Sequence, residues 1–103
     1  MIGYVVSPLA RQDILEITDY IAADNLDAAV RLRDRLFAAF AGLAKRPGLG
    51  HARDDLVSRE AGVRFRPVGA YLVIYRPTGR TVQIVRVLSG YRDIATILGP
   101  PPG

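Results

Sequence analysis

Arginines are the residues of this chain whose type and spacing point most clearly to chemistry. Between residues 63 and 88 they alternate with β-branched and aromatic residues, and Arg86 stands inside the apolar run VQIVRVL. A guanidinium binds carboxylate or phosphate in a planar two-point contact, so this pattern predicts a surface for an anionic partner. A charge buried without a partner costs several kcal/mol. Two roles therefore stay open for Arg86: contact with another molecule, or an internal ion pair with Asp93.

The positive charge is concentrated in the C-terminal part. Residues 61–103 hold six arginines and one acid, a balance of +5, whereas residues 1–60 hold eight basic and nine acidic groups, a balance of −1. The formal charge of +4 at pH 7 therefore comes from the C-terminal segment. A nucleic acid or an acidic protein segment fits such a surface. Because the net charge is modest, we rank a plain nucleic-acid-binding module below the other functions that are considered below.

The acid and base groups that RNA cleavage requires are sparse. Attack by a 2′-hydroxyl needs a base, an acid and cations that hold the developing phosphorane charge. Arg64, Arg86 and Arg92 supply cations, but His51 is the only histidine and lies in a loop without a partner motif. Tyr91 is open to either a catalytic or a packing role. The sequence therefore favours a binding face over a nuclease site.

Other classes of site have no motif in the chain. It has 103 residues and no cysteine, which excludes disulfides and thiol chemistry. There is no metal-ligand spacing, no glycine-rich phosphate loop and no apolar run of membrane-spanning length. The start MIGYVVSPLARQD has no basic leader or apolar core, so we expect no signal peptide. We predict a single domain over residues 1–98, a flexible proline-rich tail over residues 99–103, a cytoplasmic location, and no cofactor or metal.

Two amphipathic helices are predicted in the N-terminal half of the chain. After a short β-prone run, Ser7 and Pro8 predict a helix start, and an apolar stripe at helical spacing continues to about Ala23. Asn25 predicts the start of a second helix, which Pro47 and Gly48 end. The two helices are expected to form an antiparallel hairpin. The apolar stripe of the first helix is Ala10, Ile14, Ile17 and Ile21. The apolar stripe of the second helix is Ala29, Leu32, Leu36, Phe37, Phe40, Leu43 and Ala44.

Three strands follow a connecting loop over residues 48–62. The predicted strands are Val63–Val68, Tyr71–Arg76 and Thr81–Leu88, with turns at 69–70 and 77–80. The order β-α-α-β-β-β predicts an α+β fold in which the helical hairpin covers one face of a small, mainly antiparallel sheet. The first strand adds to an edge, and the other face is left for arginines and a partner.

The element order and three motifs resemble the RelE/ParE superfamily of type II toxin–antitoxin toxins. SPLARQDILEITDYIAADN is similar to the first helix of the family, LAKRPGLG to its exit from the second helix, and GAYLVIYRPTGRTVQIVRVLSGYRD to its C-terminal signature. The ending RVLSGYRD is closer to ParE than to RelE. Many relatives carry histidine where this chain has Ser89, so that position supplies no proton shuttle here.

The resemblance implies a ParE-like toxin that is not an enzyme. It would block DNA gyrase with cleaved DNA in place and be neutralised in a hetero-oligomer by a ParD-like antitoxin with an acidic C-terminal segment. The alternative is a RelE-like, ribosome-dependent mRNA endonuclease, with Arg64, Arg86, Tyr91 and Arg92 lining the site. The residues expected to contact a partner are Arg31, Arg35, Arg64, Arg66, Arg76, Arg86 and Arg92.

Overall fold

The structure, a computed structural model, describes residues 3–52 and 62–89. Its elements, in chain order, are β1 (Gly3–Val6), α1 (Pro8–Ala22), α2 (Leu26–Lys45), a 3₁₀ turn (Pro47–Leu49), β2 (Arg64–Val68), β3 (Tyr71–Thr78) and β4 (Thr81–Leu88). The predicted β-α-α-β-β-β order and α+β class are confirmed. The predicted tail, residues 99–103, and the residues Tyr91, Arg92 and Asp93 lie outside the described residues.

Side-chain caps start both helices where the sequence predicts them. The Ser7 side chain accepts a hydrogen bond from the backbone N–H of Ala10, and the Asn25 side chain accepts one from Ala28. Each bond satisfies an amide that the first turn of a helix leaves without a partner. Within the described residues, no helix is long and apolar enough to cross a membrane.

The four strands form one mixed sheet in the order β1-β4-β3-β2. β1 pairs in parallel with β4 at one edge, while β2, β3 and β4 are joined by antiparallel pairing. The β2–β3 and β3–β4 turns contain Gly69 and Gly79, whose φ angles of 60° and 58° lie in the left-handed region. β3 extends two residues beyond its predicted end, because Pro77 and Thr78 pair with β4 rather than forming the turn.

The helical hairpin and one sheet face enclose the main core. Its largest members are Leu36, Phe40, Leu43, Tyr75 and Ile84, all with exposures of 0–1%. Tyr4 packs edge-on against Phe40 with ring centroids 5.6 Å apart, which fixes β1 under α2. Phe37, predicted to be core, is instead 37% exposed.

The far face of the sheet carries an apolar cluster beside Arg76, so the expectation that this face is left for arginines is only partly correct. It carries a second buried cluster of Val63, Phe65, Leu72 and Ile74, each at most 7% exposed. Arg64 and Arg66 alternate with these residues and share the side of β2 that carries Val68, a member of the helix-side core. The predicted alternation is thus correct, but it directs these arginines to the edge of the helix-covered side.

Candidate functional site

A two-point ion pair joins α1 to β4. Arg86 donates from Nε to Asp13 Oδ2 at 2.7 Å and from Nη2 to Asp13 Oδ1 at 2.8 Å. The backbone N–H of Val87 donates a third bond to Asp13 Oδ2 at 3.0 Å. The carboxylate therefore accepts three hydrogen bonds from two consecutive residues of one strand. These bonds fix the position of α1 along β4.

The pair is largely shielded from water. Side-chain exposure is 19% for Arg86 and 10% for Asp13. The hydrogen bond and charge of the Asp13 carboxylate raise the pKa of Arg86 above its ordinary value, although burial acts in the opposite direction. Asp13, which was not predicted as a partner, is therefore an acid that pairs with Arg86, whereas Asp93, the partner considered from the sequence, lies outside the described residues. The reason for the pairing is geometric: α1 packs on β4 with the Asp13 side of the helix toward the strand.

A β-bulge directs Arg86 toward the helix. The register of β3 with β4 passes from Tyr75 opposite Ile84 to Ile74 opposite Arg86, which leaves Val85 as an extra residue. An extra residue bends a strand and turns the following side chain. The bulge is fixed by Ser7, whose backbone N–H donates to the Ile84 carbonyl at 2.9 Å and whose hydroxyl donates to the Val85 carbonyl at 2.8 Å.

Arg64 is bound by backbone carbonyls at the exit of α2. Its Nε and Nη2 donate to the Gly50 carbonyl at 3.2 and 2.5 Å. The Tyr75 hydroxyl fixes the same turn, since it donates to the Pro47 carbonyl at 2.5 Å and accepts from the Gly50 N–H at 2.8 Å. The carbonyl oxygens satisfy hydrogen-bond donors of Arg64 but carry no net charge. Among the described residues no acidic side chain forms an ion pair with Arg64, so no such side chain neutralises its charge.

Among the described residues, the arginines predicted to contact a partner lie on different elements and faces rather than in one cluster. Arg66 is half-buried on edge strand β2, whereas Arg31 and Arg35 are exposed on α2, with Arg35 beside Gly69. Arg76 Nη1 donates to Gln83 Oε1 at 3.4 Å on the far face. The roles of all these residues in partner binding stay predictions.

The residues of the nuclease alternative are only partly described. Arg64 lies on β2 and Arg86 on β4, with β3 between them, and Arg86 is engaged by Asp13. His51 is exposed, and its backbone pairs with Phe65 through two 2.8 Å bonds. Among residues 3–52 and 62–89, no three side chains of His, Cys, Asp or Glu come together as metal ligands would.

An apolar groove runs between α1 and α2 and reaches Val6 at the end of β1. This α1–α2 groove has a volume of about 360 Å³. Its lining includes apolar side chains that a core would normally cover: Leu15 (56% exposed), Leu26 (66%), Val30 (37%) and Phe37 (37%). Arg11, Asp19 and Arg33 are the charged residues of its lining.

The groove was not predicted from the sequence, although a signal for it exists. Leu15, Leu26 and Val30 lie outside the two apolar stripes assigned to the core, so each helix carries more apolar residues than one buried face requires. A second apolar face on a helix indicates a second packing partner.

Comparison with known proteins gives a family match and several matches to solved structures. The family model described as the ParE toxin of the type II toxin–antitoxin system parDE matches residues 4–94. A solved structure titled "Chromosomal ParDE TA system from P. aeruginosa" superposes with a TM-score of 0.72 at 19% sequence identity, covering 87% of this chain and 97% of that one. At this identity the likeness is one of fold. No curated protein sequence matches the chain.

Proposed function

We propose a function from one premise: the chain belongs to the family of ParE toxins of type II toxin–antitoxin systems, whose family model matches residues 4–94. The proposed function is growth inhibition by binding, in which the chain holds DNA gyrase with its cleaved DNA in place. It includes neutralisation by a cognate antitoxin. The resemblance of the C-terminal signature to ParE supports gyrase as the proposed target, and the described side chains support the proposed mode of action.

The observation that carries a binding mechanism is the Asp13–Arg86 pair. A cation that stabilises a phosphorane must turn its N–H groups toward the phosphate. Arg86 instead directs Nε and Nη2 to Asp13, at 2.7 and 2.8 Å. One of the cations named for the nuclease alternative is thus engaged by a carboxylate of the protein itself, which supports a role in holding the fold together rather than in catalysis.

The observation that supports an antitoxin partner is the α1–α2 groove. Exposures of 56% for Leu15 and 66% for Leu26 leave apolar area in contact with water on the outside of the hairpin. Contiguous apolar area of this kind favours a protein partner. Two of the charged residues beside it are arginines, which suits a partner segment that is acidic as well as apolar.

Two parallel assays test the target. Purified toxin is added to gyrase with supercoiled plasmid, and separately to ribosomes translating a defined mRNA. We expect linear, gyrase-linked plasmid to accumulate in the first assay and intact mRNA in the second. Codon-dependent cuts in the mRNA, with the plasmid unaffected, would replace this proposal with the RelE-like endonuclease.

A matched pair of variants tests whether the toxin acts by binding. Arg66→Ala removes a half-buried arginine of the predicted contact set, and Arg80→Ala removes an exposed turn arginine outside that set. We expect Arg66→Ala to lower the plasmid cleavage yield and Arg80→Ala to leave it within twofold, at equal melting temperatures. Equal yields would remove Arg66 from the contact set.

A further inference from the structure

The walls of the α1–α2 groove carry the residue spacing of a helix-packing seam. Four of the six α1 residues that line the groove, Arg11, Leu15, Thr18 and Ala22, are separated by four, three and four positions. Four of the five lining residues of α2, Leu26, Val30, Arg33 and Phe37, have the same separations. Alternation of three and four places residues along one line of a helix, the geometry by which helices pack side by side. Two parallel lines of this kind form a channel that fits a third helix.

Charge varies along the channel. Arg11 and Asp19 are both on α1, eight positions apart, which corresponds to about 12 Å along the helix axis. Because the helices are antiparallel and joined through Ala23–Asn25, Arg33 of α2 lies at about the level of Leu15. The half near the start of α1 is therefore positive, and the half near the hairpin end carries Asp19.

These charges are largely available to an occupant. Arg33 contacts Asp34 at 3.6 Å, but the two side chains are 54% and 69% exposed, so water screens the pair. Neither Arg11 nor Asp19 forms an ion pair within the described residues. Apolar contacts supply most of the affinity of such a seam, while charges beside it set register and select among similar partners.

We propose that Arg11 and Arg33 are the specificity-determining residues of the groove. They select an antitoxin segment that docks as an amphipathic helix with apolar residues at alternating spacings of three and four. Acidic residues of that helix face Arg11 and Arg33, and a basic or neutral residue about two turns away faces Asp19. This inference rests on the antitoxin partner of the proposed function and adds which partner helix is accepted.

Two labelled synthetic helices of 18 residues test the inference. Both carry leucine at the seam positions. The first peptide has glutamate beside the half of the seam that faces Arg11 and Arg33, and lysine beside the half that faces Asp19. The second peptide has lysine beside both halves. Fluorescence anisotropy at low and moderate salt gives the affinities. We expect the first peptide to bind about tenfold more tightly than the second, and the difference to shrink with salt.

Charge reversal on the toxin provides the matched comparison. Arg11→Glu/Arg33→Glu is expected to abolish or invert the preference. Arg46→Glu/Arg80→Glu, which changes the net charge equally at exposed positions outside the groove, is expected to keep it. Circular dichroism checks that both variants are folded. Equal affinity for the two peptides, no binding of the first peptide, or an unchanged preference in the groove variant would each overturn the proposal.

A second copy of the chain is the competing occupant. Sedimentation velocity of the toxin alone is expected to show a monomer. A dimer that Leu15→Glu dissociates would assign the groove to self-association and overturn the proposal. The plasmid cleavage assay is read without any peptide, so failure of the groove selectivity and failure of gyrase as target are separate results.

Discussion

At the scale of single residues, Asp13 makes the most consequential contacts of the described chain. It neutralises the only cation inside the apolar run of β4 and also accepts the Val87 N–H. Removing one member of a buried pair leaves the other charge without compensation, which costs more than the intact pair contributes. The same contacts give a reason why Arg86 can stand between valines without a ligand.

The first prediction concerns this pair. Asp13→Ala and Arg86→Ala are each expected to lower the free energy of unfolding by about 3–5 kcal/mol, measured by urea denaturation. The double variant is expected to cost clearly less than the sum, because the partners are coupled. Arg33→Ala, at an exposed ion pair, is the control and should change the free energy by less than about 1 kcal/mol. A stable and fully toxic Arg86→Ala variant would contradict the assignment.

The second prediction concerns the turn that Tyr75 fixes. A Cβ atom added at Gly50 would lie 2.5 Å from the Tyr75 hydroxyl and 2.8 Å from the Phe65 carbonyl, whereas one added at Gly48 meets nothing within 4 Å. Gly50→Ala should therefore lower stability by about 1–3 kcal/mol through overpacking. Gly48→Ala, two positions away in the same turn, should change it little. Equal melting temperatures for the two variants would count against this packing.

At the scale of elements, Ser7 connects three features: it caps α1, follows β1, and binds the bulge of β4. These bonds make the start of α1 and the bulge mutually dependent, because the same hydroxyl accepts from Ala10 and donates to Val85. The bulge in turn places Arg86 opposite Asp13. The capping residue Ser7 thus also links α1 to β4.

The third prediction separates the two functions of this serine. Ser7→Ala loses a cap and a bond to a strand carbonyl, so we expect it to cost about 2 kcal/mol. Asn25→Ala loses only the cap of α2 at an exposed position and should cost about 1 kcal/mol. Chemical denaturation of both variants gives the comparison, and equal losses would show that the bond to Val85 contributes nothing.

At the scale of the whole molecule, the apolar residues of the hairpin are divided between two packing surfaces. Residues such as Leu36 are fully buried between helices and sheet, whereas Leu15 and Leu26 are more than half exposed in the groove. The first set holds the toxin together, and the second is available to a partner. Because the sets lie on different sides of the same helices, substitutions can separate stability from complex formation.

The fourth prediction uses that division. Leu15→Gln and Leu26→Gln should leave the melting temperature nearly unchanged, because both side chains are already in contact with water, and should weaken binding to the antitoxin more than tenfold. Leu36→Ala, at 0% exposure, should lower the free energy of unfolding by about 2–5 kcal/mol. Unchanged neutralisation of the Leu15→Gln toxin would remove the groove from the antitoxin interface.

The sequence by itself determined the elements, because their signals are local. Ser7, Asn25 and Pro47 mark helix ends through bonds or constraints that act over a few residues, and alternation in residues 63–68 sets which side chains share a face of a strand. The order of these elements allows few arrangements, so the α+β class followed as well.

Only the tertiary structure decided where the charges and surplus apolar residues go. Asp13 and Arg86 are 73 positions apart, and nothing local indicates that a bulge turns one toward the other. Alternation separated Arg64 and Arg66 from Val63 and Phe65, but which side the helices cover depends on packing between layers. The groove also required both helices in place, since Leu15 and Val30 become one surface only when α1 and α2 lie side by side.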